Sequence, residues 1–109
     1  MATLEECQQA IDGLAQKIQE SGDKSGLGER TLSCHVSDLD VTFHGTLRRG
    51  ELVDVTTQPQ PKAQIRFTAT SDDLVAMVDG SLDMAKAWLT KRVKVEASMM
   101  DILKLKAML

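Results

Sequence analysis

The stretch that decides the fold is Ser71–Leu109, SDDLVAMVDGSLDMAKAWLTKRVKVEASMMDILKLKAML. Its periodicity predicts two short helices, a short strand and a closing helix, near residues 72–78, 83–90, 92–97 and 99–109. Gly80-Ser81 separates the first two helices, and Ser98 is the expected N-cap of the last one. This order predicts a chain that ends by covering a sheet with helices.

The closing helix has more apolar residues than packing on one side requires. Only Asp101, Lys104 and Lys106 interrupt its apolar circumference. The apolar residues are Met99, Met100, Ile102, Leu103, Leu105, Ala107, Met108 and Leu109. This surplus would suit an oligomer contact, a membrane surface or the wall of a ligand cavity, and the residues alone leave these three open.

Outward from this stretch, the chain begins with an amphipathic helix expected over residues 4–20, and Thr3 and Glu6 form a capping box at its start. From Arg30 the apolar period changes to two and predicts four strands before Ser71. One side of the predicted sheet is apolar. Its residues are Leu32, Cys34, Val41, Phe43, Val53, Val55, Ile65, Phe67, Val93 and Val95.

The register of the second and third strands depends on the hairpin at 48–50. A three-residue loop with glycine in the left-handed position is expected there. It would place Phe43 opposite Val55, Gly45 opposite Val53 and His44 opposite Asp54. A two-residue loop would put Asp54 beside Gly45 on the apolar side, which argues against it.

The fold class predicted for residues 1–109 is α+β: one domain with a five-stranded, largely antiparallel sheet covered on one face by helices. With 13 Lys and Arg against 16 Asp and Glu, the net charge of −3 gives no overall basic field for nucleic acid. The two cysteines, Cys7 and Cys34, form no disulfide framework, and no window reaches the ~20 apolar residues of a membrane span. No signal peptide is recognised, so a cytoplasmic location is expected.

The sequence shows no group of residues arranged for catalysis or metal binding. The only histidines, His35 and His44, fall on the polar side of the predicted sheet without a nucleophile or an oxyanion donor. Two His and two Cys on opposite faces do not supply converging ligands for a metal. We therefore expect no enzyme, no metal and no cofactor.

The chain resembles the sterol carrier protein-2, or nonspecific lipid-transfer, domain family most strongly from Asp73 to Leu105. The motifs that carry the resemblance are Asp73-Leu74, Gly80-Ser81-Leu82-Asp83, Ala87-Trp88, Arg92-Val93-Lys94-Val95 and Met99 through Lys104-Leu105. The chain departs from the family pattern at Met84, Lys91, Ala97-Ser98 and Asp101. An apolar residue is usual at the last position, so Asp101 is expected to make the pocket entrance more polar.

This resemblance implies a hydrophobic tunnel for fatty acyl chains, acyl-CoA, sterols or phospholipids, without catalysis. The pocket residues carried over by motif are Leu74, Met77, Trp88, Val93, Val95, Met99, Leu103 and Leu105. Strand and helix alternation adds Phe43, Phe67, Met100 and Ile102.

We therefore expect a carrier or presenter of apolar ligands, with transient membrane contact, a homodimer or a receiving enzyme as further partners. The alternative is a structural or dimerisation module with the same fold and a filled cavity.

Overall fold

The structure is a computed structural model and describes residues 2–21, 29–48 and 50–108. Four helices and five strands lie in these ranges. In chain order they are α1 (Leu4–Ser21), β1 (Arg30–Val36), β2 (Val41–Arg48), β3 (Glu51–Thr56), β4 (Ile65–Ala69), α2 (Ser71–Asp79), α3 (Met84–Leu89), β5 (Lys94–Glu96) and α4 (Met99–Met108).

The helices begin at the residues that the sequence marks as caps. At α1, the Thr3 amide donates to Glu6 Oε1 at 3.0 Å and the Glu6 amide donates to Thr3 Oγ1 at 3.1 Å, which is the expected capping box. The Asp83 carboxylate accepts from the Lys86 amide at α3. At α4, the Ser98 hydroxyl accepts from the amide of the third helical residue. These acceptors satisfy amides that have no partner inside the helix.

The sheet has the strand order β3-β2-β1-β4-β5. β1 runs parallel to β4, while the other three neighbouring pairs are antiparallel. The parallel pair arises because the chain passes from the edge strand β3 across to β4, on the far side of β1. The expected α+β class with a five-stranded, largely antiparallel sheet is confirmed.

The β2–β3 register differs from the one expected. Arg48 pairs with Glu51 and Thr46 with Val53, so the connection has two residues, and Gly50 has a φ of 78°. Val53 therefore lies on the polar face, and its placement on the apolar side was wrong.

A β-bulge removes the conflict that argued against this register. Pairing shifts between His44 and Thr46, and Asp54 adopts a φ of 57°. Beyond the bulge, His44 pairs with Thr56 and not with Asp54. The extra residue lets Asp54 stay exposed and turns Val55 toward the core, where it packs near Phe43.

The main core lies between α1, α2 and the apolar face of the sheet. Its buried residues come from α1, β1, β2 and α2: Cys7, Ala10, Ile11, Val36, Phe43 and Leu74. A second cluster joins α3 to the sheet through Ala69, Ala87 and Val93, and a third consists of Leu47 and Ile65. The helices thus cover the face that the alternation of the strands predicts to be apolar.

Candidate functional site

An apolar cavity lies between α1 and the sheet. Its lining residues are Ile11, Leu14, Leu32, Ser33, Cys34, Phe43, His44, Gly45, Leu52, Val55 and Phe67. Its volume is only about 40 Å³, enough for a water molecule or two but far below the ~300 Å³ at which small-molecule pockets begin. The space is apolar and, in this conformation, nearly filled.

Gly45 is one reason why there is any space. A Cβ atom at this position would stand 2.9 Å from Leu52 Cδ1. The missing side chain lets Leu52 lean over β2 from the neighbouring strand, beside the bulge at Asp54. Because Gly45 has no side chain and lies beside the bulge, few side-chain atoms fill this part of the sheet under the cavity.

A surface groove adjoins the cavity along the seam between α1 and β3. It has a volume of about 310 Å³ and is lined by Asp12, Ala15, Gln16, Gln19, Glu51, Leu52 and Val53. Leu52 belongs to the lining of both spaces. Its half-buried side chain therefore lies where the polar groove and the apolar cavity adjoin.

The sequence-predicted pocket residues fall into four groups. Phe43 and Phe67 line the cavity. Leu74, Met77, Val93 and Val95 lie in the core clusters beside it. Trp88 and Ile102 are half-buried, and the side chain of Leu105 lies outside the part that the structure describes. Met99, Met100 and Leu103 are exposed and do not line the cavity.

Several lining residues were not predicted as part of the site, above all Ile11, Leu14 and Leu52. The apolar stripe of the first helix is the signal that identifies Ile11 and Leu14, because that stripe must face the sheet. The expected register did not identify Leu52, because the three-residue loop assigns it to the polar face. The two-residue connection reverses that assignment, because it pairs Leu52 with the buried Leu47.

The two thiols of the protein lie in this region. Burial raises the pKa of Cys34 to about 12, and the nearby Cys7 adds to the shift. Burial also raises the pKa of Cys7, with Asp38 as the next cause. Both are free thiols, and their raised pKa values argue against a role as nucleophiles: Cys34 lines the cavity and Cys7 lies in the main core.

Helix α4 is oriented by its single acid. Asp101 is 5% exposed, and Arg30 Nε donates to its Oδ2 at 3.1 Å. Met99 lies two residues before Asp101 and Leu103 two residues after it. Each is therefore about 200° around the helix from the buried Asp101 side chain and points away from the protein. The sequence predicted that these side chains face a pocket. The buried ion pair turns them outward in this structure.

The opposite, open face of the sheet holds a groove of about 570 Å³ under the segment that joins β3 to β4. It is lined mainly by polar residues, among them Thr31, His44, Thr46 and Thr56. His35 also lies on this face, where its Nδ1 is 2.9 Å from Thr42 Oγ1. Within residues 2–21, 29–48 and 50–108, no cluster of three or more His, Cys, Asp or Glu has the arrangement of a metal site.

Helices on one face of a five-stranded sheet, with an apolar space between the two layers, define a small two-layer α+β domain. The sequence model of the SCP-2 sterol transfer family matches residues 8–109, and the chain belongs to this family. No curated protein sequence matches the chain. In the described ranges, no helix is both long and apolar enough to span a bilayer.

Solved structures with the same fold include two from Aedes aegypti. Sterol carrier protein 2 like 2 is 13% identical, with 94% of this chain and 98% of that chain covered and a TM-score of 0.62. Sterol carrier protein-2 in complex with the C16 fatty acid palmitate is 18% identical, with 99% and 96% covered and a TM-score of 0.62. At these identities the likeness establishes the fold.

A part of a larger enzyme is also similar. The stereoselective inverting sec-alkylsulfatase Pisa1 from a Pseudomonas species is 27% identical over 73% of this chain, with a TM-score of 0.57. The chain covers only 13% of that enzyme.

Proposed function

We propose that the protein binds one long-chain apolar ligand, such as a fatty acyl chain, between α1 and the sheet, and carries or presents it without chemical change. The observation that carries this proposal is the apolar cavity bounded by Ile11, Leu14, Phe43, Leu52 and Phe67. Family membership and the palmitate complex of a structurally similar protein support it.

The cavity must expand to hold such a ligand. Burying a sixteen-carbon chain yields roughly 12 kcal/mol at ~0.8 kcal/mol per methylene, and association costs about 4 kcal/mol or more. The remaining free energy must also separate α1 from the sheet. Binding in the micromolar range is the expected result, with the chain replacing contacts that Ile11 and Leu14 now make with the sheet.

Leu52 is the proposed gate. A change in its side-chain rotamer would join the cavity of about 40 Å³ to the outer groove of about 310 Å³ along the α1–β3 seam. A leucine rotamer change is a small motion that needs no rearrangement of the sheet. The apolar chain would then pass between Leu14 and Leu52, with its polar end left at the groove.

Phe67 and Met77 mark the direction in which the site would extend. Phe67 packs against both the Leu47–Ile65 cluster and the cluster around Val93. Met77 packs against the main core and against the Val93 cluster. Methionine adapts to more than one apolar shape, so an acyl chain could displace Met77 and reach Leu74, Val93, Val95 and Trp88. Leu105 is kept in the proposed site on the motif match alone, and Ile102 on the helix alternation alone.

The test compares substitutions to phenylalanine on two neighbouring strands. Leu52→Phe enlarges a side chain that lines the cavity, whereas Thr46→Phe enlarges one that lines the groove on the open face of the sheet. Palmitate displacement of a fluorescent fatty acid from delipidated protein measures affinity. We expect Leu52→Phe to weaken palmitate binding by about tenfold and Thr46→Phe by less than about twofold. Absence of saturable binding to the wild type, or equal effects of the two variants, would contradict the proposal.

One observation favours a second candidate, a structural or dimerisation module: the cavity is nearly filled by its own side chains. That module predicts no lipid in native mass spectrometry of the purified protein, no response to palmitate, and a dimer whose population rises with protein concentration. A lipid adduct on the purified monomer would exclude it.

A further inference from the structure

The groove between α1 and β3 is lined by negative charge. Two acids, Asp12 and Glu51, and two amides, Gln16 and Gln19, belong to its lining. Both acids are exposed to the solvent that fills the groove. Among the residues that the structure describes, no Lys, Arg or His lines this space. A polar group placed in the groove therefore meets carboxylates and side-chain amides.

The charges of the two acids are not compensated within the described part of the chain. The side chain of Gln8 donates to Asp12 Oδ1 at 3.4 Å, but this donor is neutral. Arg48 pairs with Glu51 in the β2–β3 ladder, yet its guanidinium Nε lies 3.4 Å from Glu29 Oε2. In the described ranges, neither groove acid forms an ion pair. The groove therefore has a negative local field.

The two acids lie one residue away from the wall of the apolar cavity. On α1, Ile11 lines the cavity and the next residue, Asp12, lines the groove. On β3, Leu52 lines both spaces and the residue before it, Glu51, lines the groove. Consecutive Cα atoms are only about 3.8 Å apart. The polar end of a chain that leaves the cavity at Leu52 therefore enters the field of both carboxylates.

We propose that this site selects long-chain lipids by the charge of their head: it favours a hydroxyl or ammonium head and disfavours the carboxylate of a fatty acid. The inference rests on the proposed function, because the groove meets the head only when the chain lies between α1 and the sheet. An ionised carboxylate only accepts hydrogen bonds. Asp12 and Glu51 therefore pair with a head that donates and repel a head that is itself an anion.

The expected size of this selection follows from Coulomb's law. A carboxylate about 6 Å from a charged head changes the affinity about threefold in a water-like dielectric at low salt. Two carboxylates together change it about tenfold, with opposite signs for an anion and a cation. A neutral head is left unaffected. Burial of the chain thus supplies the affinity, and the groove sets the preference among heads.

The test uses three ligands that share one alkyl chain: dodecanoate, dodecanol and dodecylamine, whose heads are anionic, neutral and cationic at neutral pH. Displacement of a fluorescent long-chain alcohol from delipidated protein measures each dissociation constant. Asp12→Asn with Glu51→Gln removes both charges and keeps the size of the side chains. At low salt, we expect this variant to bind dodecanoate about tenfold more tightly and dodecylamine about tenfold more weakly, with dodecanol changed by less than about twofold.

Asp40→Asn with Glu96→Gln is the matched control. It removes two exposed acids that line neither the groove nor the cavity, so the net charge changes by the same amount. Asp40 has a φ of 49°, which asparagine tolerates, and Glu96 lies on β5, at the opposite edge of the sheet from β3. All three dissociation constants should stay within about twofold of the wild type. Urea unfolding checks that both variants are folded.

The salt dependence of the wild type provides a measurement without any substitution. Raising the salt concentration should tighten the binding of dodecanoate and weaken that of dodecylamine, because both acids are exposed and their field is screened. Unchanged affinities for dodecanoate and dodecylamine in the Asp12 and Glu51 variant, or equal shifts in the control variant, would overturn the head selection and leave the ligand site standing. Absence of saturable binding of all three ligands and of the fluorescent alcohol would overturn the proposed function as well.

Discussion

The pKa of a single side chain, Cys34, reflects how well the interior of the site is shielded from water. It lies in the wall of the apolar cavity, and its thiol is shielded from water by α1. The residue type alone predicts a small apolar filler on a strand that faces the core. The size of its pKa shift depends on α1 and Cys7, which only the fold brings near it.

The raised pKa of Cys34 makes stability depend on alkaline pH. The thiol ionises near pH 9 when the chain is unfolded but only near pH 12 when it is folded, so unfolding releases a proton between these values. The free energy of unfolding should therefore fall as the pH rises above about 9, by up to ~1.4 kcal/mol per pH unit from this group.

Urea unfolding of the wild type and of Cys34→Ala at pH values of roughly 8, 10 and 11 measures this effect. The variant should be less stable at pH 8 but should lose less stability on going to alkaline pH. The same pH dependence in both proteins would show that Cys34 is already exposed in the folded state.

At the scale of elements, periodicity predicted which segments are helices and strands because local spacing reflects burial on one side. It failed at β3, where the two-residue connection puts Leu52 in place of Val53 on the core side and the bulge at Asp54 keeps Val55 there. It also failed to orient α4, because almost every side of that helix is apolar and the pattern has no preferred face. The partner that decides the orientation, Arg30, lies 71 residues away in the sequence.

Substitutions of Arg30 and Asp101 should have strongly non-additive effects on the free energy of unfolding. Asp101→Leu alone leaves the Arg30 guanidinium half-buried without its partner, and we expect a loss of about 2 kcal/mol in the free energy of unfolding. Arg30→Met with Asp101→Leu replaces the pair by apolar contacts and should restore stability to within about 1 kcal/mol of the wild type.

Urea unfolding of the wild type, both single variants and the double variant provides the measurement as a double-mutant cycle. Additive effects of the two substitutions would show that the ion pair does not hold α4. The exposed pair Arg48–Glu29, 3.4 Å apart, is a matched control that should contribute little.

At the scale of the whole molecule, the resemblance in residues 73–105 identified the family, and the family predicted the fold. The resemblance did not predict which residues line the cavity. The cavity is bounded in part by β2 and β3, whose register and bulge the sequence did not reveal. Of the eight residues taken from the family motif, four lie in the core beside it.

A ligand that binds only the folded state must stabilise it. Palmitate present at a hundred times its dissociation constant should raise the free energy of unfolding by about 2.7 kcal/mol. Thermal unfolding of delipidated protein with and without palmitate measures this. Leu52→Phe should show a smaller gain, while an unchanged midpoint for the wild type at saturating palmitate would contradict specific binding.

The central claim, that an acyl chain lies between α1 and the sheet, is tested most directly by isotope-filtered NMR of the protein with bound palmitate. The account predicts nuclear Overhauser contacts from the ligand methylenes to the methyl groups of Ile11, Leu14 and Leu52 and to the ring of Phe67. Contacts confined to Met99, Met100 and Leu103 would place the ligand on the outer face of α4 and contradict the claim.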